Sequence, residues 1–331
     1  MPFLKGMINQ FRSLNPVNLL LLFAYTFFMR MAIFADLPSA LQFELLESYA
    51  KFLITIPVNS FSPTGNVLLA GLIVYIQALL FNRVVNNHSL LNKPGYLPAL
   101  LYVTSASLFM PFLILSPTLI CNFLLIWIMD KFLKLGKSTN AVMIMFDAGM
   151  IIAVGTLIYF PFIVMLVMLW LTLLLYRSFS WREWVSGLVG FLIIFFFVGV
   201  YYYWNDSLSQ FYKIWLPLGN KFPSVFKINY NDYLVLVPVT LMIVLASLQL
   251  RENFFRSFIS TRKAFQMLFF MFIVSIFSFY TKSDFRIYHF LMCVPPGSVL
   301  LAYYFFNARK RWFYESLFLV LVFAIQYFLF V

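Results

Sequence analysis

Residues 141–176 read AVMIMFDAGMIIAVGTLIYFPFIVMLVMLWLTLLLY, an apolar run whose only charged residue is Asp147. A bilayer core takes about 20 apolar residues per helix, so the run holds either two spans or one strongly tilted helix. Only Phe160 and Pro161 separate the two halves, and no charge marks the turn between them. The downstream charges decide. A single span would put Arg251, Arg256, Arg262, Lys263 and the Arg309–Arg311 triplet on the side opposite the other basic residues, against the rule that cations stay in the cytoplasm. Two spans are therefore expected, Ala141–Tyr159 and Pro161–Tyr176.

The same ruler applied outward from this pair gives an all-α polytopic transmembrane bundle of about eleven spans. The others are 17–35, 66–82, 97–115, 118–133, 184–204, 233–250, 264–280, 288–306 and 313–331. Residues 41–56 carry Glu44, Glu47 and Lys51 among apolar positions and read as an amphipathic interfacial helix. Composition agrees with lipid as the solvent. Of 331 residues 63% are hydrophobic, 43 are Phe and only 10% are charged, against roughly 25% charged in soluble domains. A secreted disulfide scaffold, a cytosolic enzyme and a nucleic-acid binder are excluded. With no linker, repeat or inverted half-to-half symmetry, residues 1–331 read as one membrane domain.

Orientation follows from the basic residues. Of 23 Lys and Arg, 16 fall on the N-terminal side: Lys5, Arg12, Arg83, Lys93, Lys131, Lys134, Lys137, Arg177, Arg182, Arg251, Arg256, Arg262, Lys263 and Arg309–Arg311. The other side has six, Lys51, Lys213, Lys221, Lys227, Lys282 and Arg286, balanced by Asp36, Glu44, Glu47, Asp206, Asp232 and Asp284. The net charge of +12 thus records topology: N-terminus cytoplasmic, C-terminus periplasmic, in a bacterial inner membrane. Trp181, Trp184, Trp312 and Trp204 sit at expected span ends, as interfacial anchors do.

Chemistry is confined to few groups. Asp36 closes the first span at its outer mouth, where a carboxylate can act as general base or be a solvated helix-end charge. Arg30, one and a half turns earlier, can snorkel outward or face the same mouth. The outer loop supplies Lys213, Lys221 and Lys227 among aromatics, a pattern suited to a phosphate head group and equally to any interfacial loop. Lys282, Asp284, Arg286 and His289 cluster at the last outer turn, either around an anion or as internal ion pairs. Asp147 lies roughly 10 Å into its span, where a carboxylate is costly. It is either functional, or else protonated, bonded to a neighbouring helix or the cap of a late-starting helix, beside a small-residue face of Ala148, Gly149, Ala153 and Gly155. Pro295, Pro296 and Gly297 are expected to break the tenth span near its middle. Cys121 and Cys293 match no metal or redox spacing and read as packed thiols. No metal or cofactor is expected.

Asn15-Pro16, Ser116-Pro117, Asn122-Phe123, Phe146-Asp147-Ala148-Gly149 and Trp181-Arg182-Glu183-Trp184 together resemble an uncharacterised family of multi-pass inner-membrane proteins from Bacteroidota. That resemblance implies location only. A second resemblance is architectural: an acid at the outer mouth of the first span, an interfacial helix after it and a later basic outer loop are similar to membrane-embedded polyprenyl-phosphate-dependent glycosyltransferases and glycan polymerases. It implies Asp36 as the catalytic carboxylate, Lys213, Lys221, Lys227 or Arg286 as holders of the lipid phosphate, and a role in envelope biogenesis. The paired acidic motif and soluble C-terminal domain of that class are missing. Two other roles fit the residues, a subunit of an envelope complex for secretion, motility or division, and a transporter or flippase near Asp147 and Pro295–Gly297. Membrane lipids, a polyprenyl-phosphate-linked glycan or other inner-membrane subunits are the expected partners.

Overall fold

The computed structural model describes residues 6–35, 37, 50, 62–215, 236–253, 258–281 and 287–330, and every regular element among them is helical. In chain order the α-helices are α1 (Met7–Phe11), α2 (Val17–Phe28), α3 (Met31–Ala35), α4 (Pro63–Asn87), α5 (Leu97–Ser105), α6 (Pro117–Leu135) and α7 (Ala141–Ile158). They continue as α8 (Leu166–Tyr176), α9 (Trp181–Trp204), α10 (Leu208–Lys213), α11 (Leu236–Asn253), α12 (Ile259–Phe277), α13 (Val294–Asn307) and α14 (Arg311–Phe330). Six stretches among the described residues are long and apolar enough to cross a bilayer: Pro63–Asn87, Ala141–Ile158, Trp181–Trp204, Ile259–Thr281, Ile287–Asn307 and Arg311–Phe330.

Local chemistry sets several boundaries. The tripeptide Ser-Pro-Thr opens both α4 and α6. Ser62 Oγ accepts the Gly65 N–H at 3.1 Å and Ser116 Oγ the Leu119 N–H at 3.2 Å, while each proline sits where a helix needs no N–H. The chain stays helical from Phe160 to Tyr176, but it enters as a 3₁₀ turn (Phe160–Met165) after an extended Tyr159. Pro161 supplies that break.

Elsewhere the boundaries differ from expectation. The 97–115 segment is α-helical only over Leu97–Ser105, because Thr104 and Ser107 turn their hydroxyls back to the Leu100 and Val103 carbonyls and Pro111 cannot continue the ladder. The first segment is interrupted at Met29–Arg30, between α2 and α3. Pro295 and Pro296 do not break a helix in its middle. They occupy the first turn of α13, which follows the 3₁₀ segment Ile287–Cys293 without a gap, so their missing N–H groups cost no helical bond. Trp181–Trp184 is the first turn of α9, which starts three residues before the expected span. The interfacial helix expected at 41–56 lies outside the described residues apart from Ala50.

Side-chain bonds sort the helix ends. At one end Glu315, the fifth residue of α14, accepts the N–H groups of Ile8 and Asn9 at 3.1 and 3.0 Å. Arg12 donates to the carbonyls of Phe305 and Ala308 at the exit of α13 and lies 4.4 Å over the Tyr314 ring. His88, just past α4, bonds Asp130 near the end of α6. Arg177, just past α8, bonds both Glu183 at the start of α9 and the Ser138 carbonyl before α7. That last bond returns α8 to the level where α7 began, so the two halves of 141–176 run antiparallel. The starts of α4 and α6, the end of α7 and residues 278–281 and 287–293 meet at the opposite end, through Asn66–Leu115, Thr118–Tyr288 and Tyr159–His289.

Helices α7 and α9 run parallel and pack backbone to backbone. A Cβ added at Gly149 would overlap the Gly187 carbonyl oxygen, and one at Gly190 would overlap that of Phe146. Small residues allow this approach, which gains dispersion where lipid offers no hydrophobic drive.

Candidate functional site

The interior of the bundle is held by polar bonds whose partners sit on different helices. Gln77 on α4 donates to the Leu119 carbonyl and accepts from Tyr102 of α5 at 2.9 Å. Tyr25 of α2 meets Thr104 at 2.9 Å. One face of α6 carries Thr118 and Asn122, four residues apart. Both reach the 3₁₀ segment, donating to the carbonyls of Tyr288 and Leu291 at 3.0 Å each. Carbonyls that a short 3₁₀ segment leaves open are thereby satisfied.

His289, 2% exposed, is fixed between Tyr159 Oη and Ser278 Oγ, each 2.9 Å away. Ser278 already donates its one hydroxyl proton to the Ser275 carbonyl at 2.7 Å, so it accepts from His289 Nε2–H, and Nδ1 accepts from Tyr159. Both ring nitrogens are engaged. The ring ties Ile287–Cys293 to α7 and to Ser278–Thr281. Its neighbours Lys282, Asp284 and Arg286 lie outside the described residues, as do Asp36, Lys221, Lys227 and the side chain of Lys213.

Asp147 faces α6. Its Oδ2 accepts from Lys131 Nζ at 2.5 Å, and each side chain is 21% exposed. Lys131, near the inner end of the expected 118–133 span, belongs to the last turns of α6, four residues before Leu135. The carboxylate thus has a partner on the neighbouring helix at its own depth, which lowers the cost of its place in the span.

Arg30 has no such partner. It is fully buried (0% exposed) at the α2–α3 interruption, against Gly71 of α4, where an added Cβ would stand 3.2 Å from its Cδ and Nε. Nη1 donates to the Thr26 carbonyl at 3.1 Å, while Nε and Nη2 have no acceptor. No carboxylate among the described residues forms an ion pair with it. Nε–H and the adjacent Nη2–H point the same way and form the edge of a guanidinium that grips a carboxylate or phosphate with two parallel bonds. A buried cation without a counter-charge costs several kcal/mol. What this edge can do chemically is hold an oxyanion inside the bundle. Sequence could name Arg30 as intramembrane but not its isolation, which depends on α4 meeting the α2–α3 break at a glycine. Among the described residues no group of three His, Cys, Asp or Glu is placed to hold a metal.

A model of a family of unknown function, DUF6427, matches residues 45–331. The chain belongs to DUF6427. In this DUF6427 protein the matched region starts after α3 and takes in α4 to α14, so Asp147, His289 and the α7–α9 contact fall inside it and Arg30 before it. No curated protein and no solved structure matches the chain.

Proposed function

We propose that this is an eleven-pass protein of a bacterial inner membrane, from Bacteroidota, that handles a polyprenyl-phosphate-linked glycan at its periplasmic face. The N-terminus is cytoplasmic, and the end where Arg12, Arg177 and Glu315 meet is the cytoplasmic one. The positive-inside rule supports that orientation. The second turn of α8 back on α7 supports the odd number of crossings.

The observation that carries the substrate class is the buried Arg30 edge, with two donors free to bind an oxyanion. In the reading drawn from the glycosyltransferase resemblance, Asp36 removes the proton from an acceptor sugar hydroxyl. The hydroxyl oxygen attacks the anomeric carbon, the bond from that carbon to the lipid phosphate oxygen breaks, and the phosphate leaves carrying the electron pair. Arg30 receives the charge as it develops.

The test is assembly of lipid-linked glycan in cells that express single variants. Asp36→Asn and Arg30→Gln abolish it under this reading, and Arg30→Lys, which keeps the charge but loses the two-bond edge, restores only part. Unchanged glycans in Asp36→Asn and Arg30→Gln refute it.

A second reading, a non-catalytic subunit of an envelope complex, is favoured by α9. Only 28% of its apolar window is buried, leaving Phe196, Phe197 and Trp204 exposed. Recovery of the chain alone from mild detergent counts against it.

A further inference from the structure

A groove of about 810 Å³ opens between α4, α6 and the start of α7, at the end of the bundle remote from Arg30. Its composition changes along its length. On α4, Leu80 lies deeper and Arg83 and His88 nearer the helix end; on α6, Phe123 and Trp127 lie deeper and Lys134 nearer the end. The eleven residue steps from Phe123 to Lys134 cover about 16 Å. One part of the groove is therefore an apolar trough along the bundle, and the other a cationic rim.

The charges of the rim do not cancel. Asp130 is already held from two sides: His88 Nε2–H donates to Oδ1 at 2.9 Å and Lys134 Nζ to Oδ2 at 2.5 Å. Arg83 and Lys137 line the same groove, are exposed, and have no ion-pair partner among the described residues. Lys137 and His88 also border an adjoining cavity of about 210 Å³ that Lys263 lines. Two uncompensated cations above an apolar trough complement a ligand with an anionic head and a hydrocarbon tail, and basic pockets between helices hold such head groups.

We infer that this groove is a binding site for an anionic glycerophospholipid. The phosphodiester sits between Arg83 and Lys137, and an acyl chain lies along Leu80, Phe123 and Trp127. His88 and Lys134 hold Asp130 so that its charge does not repel the head group. The site is independent of the Arg30 reading, since neither its residues nor its ligand depend on catalysis.

Native mass spectrometry of the full chain in a neutral maltoside, titrated with phosphatidylglycerol, phosphatidylcholine or inorganic phosphate, tests it. Retention of phosphatidylglycerol over phosphatidylcholine is expected. Arg83→Ala with Lys137→Ala weakens phosphatidylglycerol binding by about tenfold or more, on roughly one kcal/mol per basic residue near a membrane surface. Arg182→Ala with Lys310→Ala removes the same charge from exposed positions at the same end and leaves binding unchanged. Asp130→Asn, which preserves the fold's shape at the rim, does not reduce phosphatidylglycerol affinity. Equal retention of both lipids, equal losses in the two double variants, or inorganic phosphate displacing the lipid at millimolar concentration overturns the assignment.

Discussion

Helices α7 and α9 touch through their backbones, which makes Gly149 and Gly190 the positions where one methyl group does the most damage. At each, the added Cβ overlaps a carbonyl oxygen on the facing helix, and no rotamer change moves a carbonyl aside. The helices must separate. Overpacking of a rigid core costs about 1–3 kcal/mol, and a backbone obstacle belongs at the upper end. Alanine also gains up to about 1 kcal/mol of helix propensity over glycine, which leaves a net loss of about 2 kcal/mol for Gly149→Ala or Gly190→Ala. At roughly 2 °C per kcal/mol for a chain of this size, Tm falls by about 4 °C. Gly199 on the same helix α9 is the internal control. Its added Cβ would stand 3.5 Å from the Phe211 ring, an ordinary contact, so Gly199→Ala leaves Tm unchanged or raises it. The assay is thermal unfolding in detergent followed by tryptophan fluorescence. Equal Tm values for all three variants would refute the close α7–α9 approach.

Three further outcomes follow from other contacts. His289→Phe removes the bonds to Tyr159 and Ser278 in a buried site and costs about 1–3 kcal/mol, read as a Tm loss of about 2–6 °C. A double-mutant cycle of Lys131→Met and Asp147→Asn gives a coupling energy of roughly 1 kcal/mol, above the median for exposed pairs because both groups are mostly buried; additive losses would remove the pair from the account. Single cysteines placed at Lys137, Arg182 and Lys310 label from the cytoplasm with impermeant maleimide and one at Asp206 labels from the periplasm, while labelling of Lys310 from the periplasm would break the eleven-crossing topology.

Much of the helical layout was legible because lipid imposes a simple rule, about 20 apolar residues between polar ends. The Phe160-Pro161 pair marked a reversal that the Arg177–Ser138 bond closes. Two of the sequence motifs acquired plain physical roles: Ser116-Pro117 caps α6, and Phe146 and Gly149 form half of the glycine contact. What stayed hidden depends on register between distant segments. Lys131 lies inside the expected 118–133 span and counts there only as an inner-side charge, until the register of α6 against α7 puts it level with Asp147. Pro295 and Pro296 look like a break until the 3₁₀ segment before them supplies a helix start. Asn122 gives no sign in sequence that it serves the Leu291 carbonyl, and Arg30 none that every carboxylate among the described residues is out of reach. Most of the outer-face residues singled out from sequence fall where the structure is not described, so the site at that face rests on Arg30.

Whether the Arg30 edge holds a lipid phosphate inside the bundle is decided by photo-crosslinking. Purified protein is labelled with a polyprenyl phosphate carrying a diazirine next to the phosphate, and the modified peptides are mapped. Labelling is expected on residues around Phe27–Met31 and Gly71, competed by unlabelled polyprenyl phosphate and lost in Arg30→Gln, with the groove variant Arg83→Ala, Lys137→Ala labelled as strongly as the unaltered protein. Labelling of those same peptides that persists undiminished in Arg30→Gln, or labelling that never reaches α2, α3 or α4, would contradict phosphate binding at Arg30.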